Sequence, residues 1–448
     1  SGLIGARSGC VALALAASAW LGAAHASADE PKRAVPDYDG RGSPPTTAGD
    51  VALWVPRIVF SPLYLTSEFV IRRPLGALIS AAERARVPSA LYDFFTFGPE
   101  HKAGFAPVAF IDFGFNPSVG IYAFWDDAFA AGNDLRFHGS TWGSDWLAGS
   151  LTDRIHLHGK DTLALNVTGV RRPDSAFFGL GPRTLEGDIS RYGEDRVDGS
   201  AAFDLALWRA SRVQTKVGLK TVSLYHGHYG SDPSLEQQVA GGVFPQPYGF
   251  DRGYTAEYNH FLAALDSRLP RPANGSGVRL ELDADQGNDV RRSPGSGWVR
   301  YGATAGAFYD LNDHGRVMSL SVASIFADPL GGQPIPFPEL VTLGGDAPMP
   351  GFFPGRLYDR SAAVATLQYR WPVAPFVDGA MQGAVGNVFG EHLEGFEPRL
   401  LRFSAALGIA TVGSPDSSIE ILFGVGTETF EHGGQPDSVR VMLGTNRF

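Results

Sequence analysis

"WVRYGATAGAFYDL", residues 298–311, puts Val299, Tyr301, Ala303, Ala305, Ala307, Tyr309 and Leu311 on one side of an extended chain. Trp298, Arg300, Gly302, Thr304, Gly306, Phe308 and Asp310 fall on the other. Successive side chains of a strand point to opposite faces, so this stretch has one apolar face and one of small or polar groups. It is also long, since strands of water-soluble proteins usually run about 5–6 residues while a tilted strand crossing a bilayer needs about 9–11. Its two tyrosines stand near the ends of the apolar row with alanines between them, the pattern of an aromatic girdle at two membrane interfaces.

The pattern recurs on both sides. "VRLELDADQG" (278–287) sets Val278, Leu280, Leu282 and Ala284 against Arg279, Glu281, Asp283 and Asp285. "LLRFSAALGIATVG" (400–413) and "SSIEILFGVG" (417–426) alternate in the same way, with Arg402 and Glu420 on the polar rows. A soluble sandwich also buries one face of each strand. What separates the two readings is strand length and loop parity. Sixteen candidate strands can be counted between residues 106 and 448. With a periplasmic N-terminus, connections after odd-numbered strands face outward. The three longest, 173–197, 227–253 and 328–360, follow strands five, seven and eleven, while 312–314 and 413–416 are short turns. Outer-membrane barrels have long external loops and short periplasmic turns. The sequence therefore predicts an all-β fold: a sixteen-stranded antiparallel transmembrane β-barrel in the bacterial outer membrane.

Residues 1–28 read as a secretory signal peptide, with Arg7 before an apolar core and Ala24-His25-Ala26 or Ala26-Ser27-Ala28 as the cleavage site. Cleavage there would remove Cys10, the single cysteine of the chain. Residues 29–50 are rich in Pro, Gly and charge and read as a disordered linker. Residues 51–103 have helical spacing and read as an amphipathic helical periplasmic segment, with Leu75, Leu78, Ile79 and Ala82 on one face. That segment either anchors on a membrane surface, plugs the pore from below, or packs against the rest of the protein. The barrel domain is expected over 104–448. After residue 30 no apolar run approaches the eighteen residues a membrane helix needs. The net charge of −10 argues against nucleic acid as a partner. The expected partners are outer-membrane lipids, with periplasmic or outer-membrane proteins as possible partners of 51–103.

Catalytic constellations are scarce. His156 and His158, and again His226 and His228, lie two apart, but neither pair has an identifiable third ligand. Polar residues of the lumen or loops are the better reading. There is no G-x-S-x-G nucleophile motif. No enzyme activity, cofactor or resident metal is expected.

A barrel of sixteen strands is too wide for side chains alone to fill. "LVTLGGDAPMPGFFPGRLYDR" (340–360), in the loop after strand eleven, carries Met349, Phe352, Phe353, Leu357 and Tyr358 among four glycines and three prolines. Those apolar residues make sense if this sixth external loop folds inward onto the lumen wall. "LGGDAPMPGFFPGR" followed by "YRWPV", with "FFGLGPRT" at 177–184 and a terminal aromatic, Phe448, resembles the sixth-loop signature of the bacterial surface antigen superfamily of BamA/TamA-type outer-membrane barrels. The resemblance covers roughly residues 104–448. It implies a sixteen-strand barrel, an inward sixth loop, and a role in inserting or translocating proteins or lipids at the outer membrane.

The sequence departs from that family's pattern. No POTRA domain is expected between the signal and the first strand. Where the family loop tip carries an arginine, Met349-Pro350-Gly351-Phe352 has Pro350. Where the resemblance implies an acidic partner on strand thirteen, Gln382-Gly383-Ala384-Val385-Gly386 has Ala384. Losing both halves of a buried pair together is physically consistent, because removing one alone strands a charge. Arg356, Asp359 and Arg360 are candidates for a substitute contact, or else solvated residues at a strand entrance. Phe448 falls out of phase with Val439, Val441 and Leu443, so a bulge near Gly444 is expected. Three functions stay open: family-type insertion through a weak seam between the first and last strands; a passive or gated channel using Arg279, Glu281, Arg300, Arg402 and Glu420; and a structural role without transport.

Overall fold

The computed structural model describes residues 101–445 apart from 270–274, 292–295, 346–347, 375–376 and 413–418, together with 84–98, residue 100 and scattered positions from 48 to 81. The expectations for the signal peptide, nearly all of the linker, most of 51–83 and Phe448 lie outside the described residues.

Among the described residues, sixteen antiparallel strands make up the barrel wall. In order these are β1 (Ala103–Asp112), β2 (Ser118–Trp125), β3 (Asn133–Thr141), β4 (Leu147–His156), β5 (Thr162–Phe177) and β6 (Ser190–Ala206). There follow β7 (Arg212–His226), β8 (Tyr254–Asp266), β9 (Gly277–Asp289), β10 (Gly297–Asp310) and β11 (Val317–Pro329). The last five are β12 (Ser361–Ala374), β13 (Val377–Phe389), β14 (Arg402–Thr411), β15 (Ile419–Thr427) and β16 (Pro436–Thr445). Each pairs with its sequence neighbour, and β16 pairs with β1, so the sheet closes. In hydrocarbon an unpaired backbone group costs several kcal/mol, and closure removes the free edges.

Alternation along each strand sorts the side chains into two rows. The outer row exposes Leu151, Leu165, Val197, Leu219, Leu280, Leu320 and Phe423. Tyr309, 63% exposed, and Trp208 stand in the same surface toward one rim. The inner row carries Asp198 opposite Lys220, and Lys216, His260, Asp285 and Arg300 in successive cross-strand pairs. An exposed apolar surface that runs around the whole sheet suits lipid, not water.

The strand count and the phase of 298–311 are as read from sequence. One boundary is corrected: the connection expected over 173–197 shrinks to 178–189, because β5 and β6 continue past the apolar stretch. Pro173 hid this continuation. It sits at a shift in register between Arg172 and Ser175, a position where a strand tolerates a residue without an N–H. A second correction concerns Gly444. Pairing of β16 with β15 runs without interruption from Ser438 to Thr445, and the irregularity lies at Gly426/Thr427 instead.

Before the barrel, a helix, Val87–Phe95, leads into a two-residue strand, Thr96–Phe97, that pairs with Ala103 and Gly104 of β1. Phe95 packs with Ala106, Val108, Tyr122 and Phe124.

Candidate functional site

The loop between β11 and β12 makes its own short hairpin, Val341–Leu343 against Leu357–Asp359. Met349, Phe352 and Leu357 are fully covered and share one apolar cluster with Val364, Ala384 and Val388 of β12 and β13. Burying a side chain of this kind contributes about 1.5–3 kcal/mol, enough to hold a loop this rich in glycine.

The tip of the loop rests on β13 to β16. Gly351 N–H donates to Ser404 Oγ (2.9 Å), and Ser438 Oγ donates to the Gly351 carbonyl (2.9 Å). Gln382 Nε2 donates to the Pro348 carbonyl (2.6 Å). Gln382, Ala384, Ser404 and Ser438 belong to the row that alternates with exposed Met381, Phe403 and Val439. The approach is close enough to demand small residues on both sides. A Cβ at Gly351 would lie 2.3 Å from the Val425 carbonyl oxygen, and one at Gly424 would lie 2.8 Å from the Gly351 Cα. Glycine inside a strand often marks such a backbone approach.

Of the candidate charges, Arg356 is fully buried. Its Nη2 reaches Asp437 Oδ2 of β16 (2.9 Å) and the Thr184 carbonyl (2.9 Å), and its Nη1 donates to Thr184 Oγ1 (2.8 Å). Arg402, also fully buried, donates to the Thr184 carbonyl (2.7 Å) and reaches the same Asp437 oxygen (3.4 Å). Glu428 lies 3.7 Å from Arg402. Two guanidinium groups thus meet Asp437 and Glu428, with Glu186 beside them, and the connections after β5 and β11 are tied to β14 and β16. Asp359 takes no part; its Oδ1 accepts the Arg360 N–H (2.8 Å). Arg360 turns instead to Asp328 (3.1 Å) and Glu391 (2.8 Å). Ala384 is buried under the loop, and Gly386 packs against Val364.

The closing junction differs from the others. Among the described residues, β16 meets β1 over three pairs, Met442 with Asp112, Leu443 with Ile111 and Gly444 with Phe110. Other neighbouring strands pair over 7 to 15. Phe113 N–H donates to the Val441 carbonyl (3.0 Å), so odd-numbered residues of β1 turn their backbone groups toward β16. Pro107 belongs to that set and has no N–H to give. On the inner side, Arg440 of β16 grips Asp112 of β1 with Nη2 at 2.7 Å and Nε at 3.1 and 3.2 Å. The Pro350 carbonyl lies 3.4 Å from Arg440 Nη1. The loop tip therefore touches a side chain that bridges the junction.

Away from the loop, the inner rows are charged. Arg279, Glu281 and Arg300 stand there as the sequence phase requires, and Arg402 and Glu420 share the row on β14 and β15. A cavity of ≈ 320 Å³ is lined by Arg196, Lys216, Lys220, Asp285 and Arg300, and an adjoining one of ≈ 350 Å³ by Glu281, Asp283, Arg300 and Thr304. The spaced histidines do not converge: His156 pairs with Asp134 (2.9 Å), His226 faces Glu236 (3.5 Å) and His228 faces Asp145 (3.3 Å). Sequence reasoning missed the clusters that do form among the described residues, His260 with Asp283 and Asp285, and Asp328 with Glu391 and His392. Each draws on different strands or loops, and spacing along the chain carries no signal for that.

No family model and no curated protein matches the sequence. Among solved structures, the chain is similar in fold to BamA from Haemophilus ducreyi lacking POTRA domains 1-3, with a TM-score of 0.54, 14% identity, and 77% of this chain and 70% of that one covered. CdiB from Acinetobacter baumannii gives a TM-score of 0.48 at 12% identity, over 77% of this chain and 59% of that one. The outer membrane protein OprD from Pseudomonas aeruginosa gives 0.34 at 10%, over 76% and 92%. At such identity the likeness to the first is one of fold: a sixteen-strand barrel of the outer-membrane type.

Proposed function

We propose that this protein is an outer-membrane barrel whose lumen is partly filled by the loop after β11, and whose junction between β1 and β16 opens to pass protein or lipid segments into the membrane. The observation that carries the reading is the short closure. Three described pairs hold a junction beside which every other has at least seven, and Pro107 withdraws a donor from the same edge. A ladder hydrogen bond contributes about 0.5–1.5 kcal/mol net, so this junction is the cheapest place to part the sheet. The inward seat of the loop is supported by its contacts with Ser404, Ser438 and Gln382, which alternate with exposed residues of the wall.

The test uses facing residues of the junction. In a Cys10→Ser background, Phe110→Cys with Gly444→Cys would lock β1 to β16 under oxidising conditions. The locked chain is expected to fail to restore other outer-membrane barrels or lipids in a depleted strain, and to recover on reduction. Full function of the locked chain overturns the reading.

A second reading, a passive path for small polar solutes, is favoured by the two adjoining charged cavities that share Arg300. Planar-bilayer conductance with and without residues 340–360 tests it: a rise on deletion supports a path closed by the loop, and unchanged low conductance defeats it.

A further inference from the structure

We propose that His260 of β8 and Asp283 of β9 form a binding site for a divalent transition-metal ion on the inner wall, with Asp285 and Arg300 as positioning residues. The two ring nitrogens of His260 stand in different relations to their carboxylates. Nδ1 lies 2.9 Å from Asp285 Oδ1, a hydrogen bond that makes Nδ1 the protonated nitrogen. Nε2 lies 3.6 Å from Asp283 Oδ2, too far for a hydrogen bond. Two ligands each about 2.0–2.2 Å from a tetrahedral ion stand about 3.4 Å apart, so the second spacing suits a shared ion.

The surroundings fit. Arg300 Nη2 holds the other oxygen of Asp285 (2.7 Å), so the order Arg300, Asp285, His260 fixes the ring with Nε2 turned toward Asp283. A carboxylate or carbonyl behind a ligating imidazole is the usual support for such a ligand. Arg279 is taken by Glu281, and Asp283 has His260 as its ion-pair contact, with Arg300 also within electrostatic reach. The remaining coordination positions open toward the ≈ 350 Å³ cavity lined by Asp283, Glu281 and Thr304, with room for coordinated water. An imidazole with a carboxylate favours borderline ions such as Zn²⁺ or Cu²⁺ over Ca²⁺ or Mg²⁺. The second cluster, Asp328 with Glu391 and His392, differs in one respect that disqualifies it: Arg360 already occupies both carboxylates.

The experiment takes the untagged full chain, folded in detergent, and titrates Cu²⁺ with electron spin-echo detection and Zn²⁺ by calorimetry. Wild type is expected to bind one ion with the remote-nitrogen modulation of a single imidazole. His260→Ala abolishes the modulation and weakens Zn²⁺ at least tenfold, and Asp283→Asn weakens it comparably. Asp285→Ala weakens binding by about 10–100-fold, with partial rescue by Asp285→Asn, whose side-chain oxygen still accepts from Nδ1. His156→Ala, at an exposed histidine, changes nothing. Heat-dependent mobility in detergent gels reports whether each variant has folded. No saturable binding by wild type, or modulation retained in folded His260→Ala, overturns the proposal.

Discussion

Arg356 and Asp437, 81 residues apart in the chain, meet at 2.9 Å with both side chains removed from solvent. The contact joins the loop after β11 to the last strand.

The two ends of this pair differ in consequence. Arg356→Met leaves Asp437 with Arg402 as its partner. Asp437→Asn leaves two buried guanidinium groups with Glu428 and Glu186 as the remaining carboxylates nearby. Breaking a buried pair so that a charge is stranded costs about 3–5 kcal/mol. Asp437→Asn is therefore expected to lower the midpoint of heat-induced unfolding clearly more than Arg356→Met. Equal midpoints would mean that Arg402 takes nothing from Asp437.

Loop seating rests on the absence of side chains at Gly351 and Gly424. Gly351→Val is expected to unseat the tip without opening the barrel. The measurement is protease cleavage within 340–360 on a chain that still shows folded mobility. Cleavage no faster than wild type would place the tip elsewhere.

At the junction, Pro107→Val restores a backbone donor on the edge facing β16. The expected gain is about 0.5–1.5 kcal/mol, read as slower hydrogen exchange at Phe110 to Asp112. Arg440→Met acts oppositely, stranding Asp112 and speeding exchange over the same residues. If neither variant moves exchange there, the junction is held by something else.

Asp359 supplies a pH dependence. Burial, its largest cause, raises its pKa above the ordinary carboxylate value, against a weaker opposing pull from Arg360. The folded state therefore favours the protonated form. The resulting penalty is present above the folded pKa and fades as pH falls from there toward the unfolded value. Asp359→Asn, whose Oδ1 keeps the bond from the Arg360 N–H, is expected to raise the unfolding midpoint at pH 7 and to have no effect near pH 3.5. A variant less stable than wild type at pH 7 would show that the carboxylate is needed as a charge.

Much of this was legible in the sequence. The alternation in 298–311 and 278–287 set the outer and inner rows, and long connections after odd strands set the ends of the barrel. Arg279, Glu281 and Arg300 stand on the inner row because a period of two admits no other phase once Tyr301 and Leu280 face outward. The continuation of β5 beyond Pro173 was hidden, since a bulge breaks the period that reveals a strand.

The strands, their faces and the unusual apolar content of the loop could be read from residue order, because those follow from the geometry of one extended chain. Which groups meet emerged with the folded barrel: Arg356 with Asp437, Arg440 with Asp112, His260 with Asp283 and Asp285. Alternation tells which way a side chain points. What it meets is set by register between strands and by the closing of the sheet, and neither leaves a mark in local spacing.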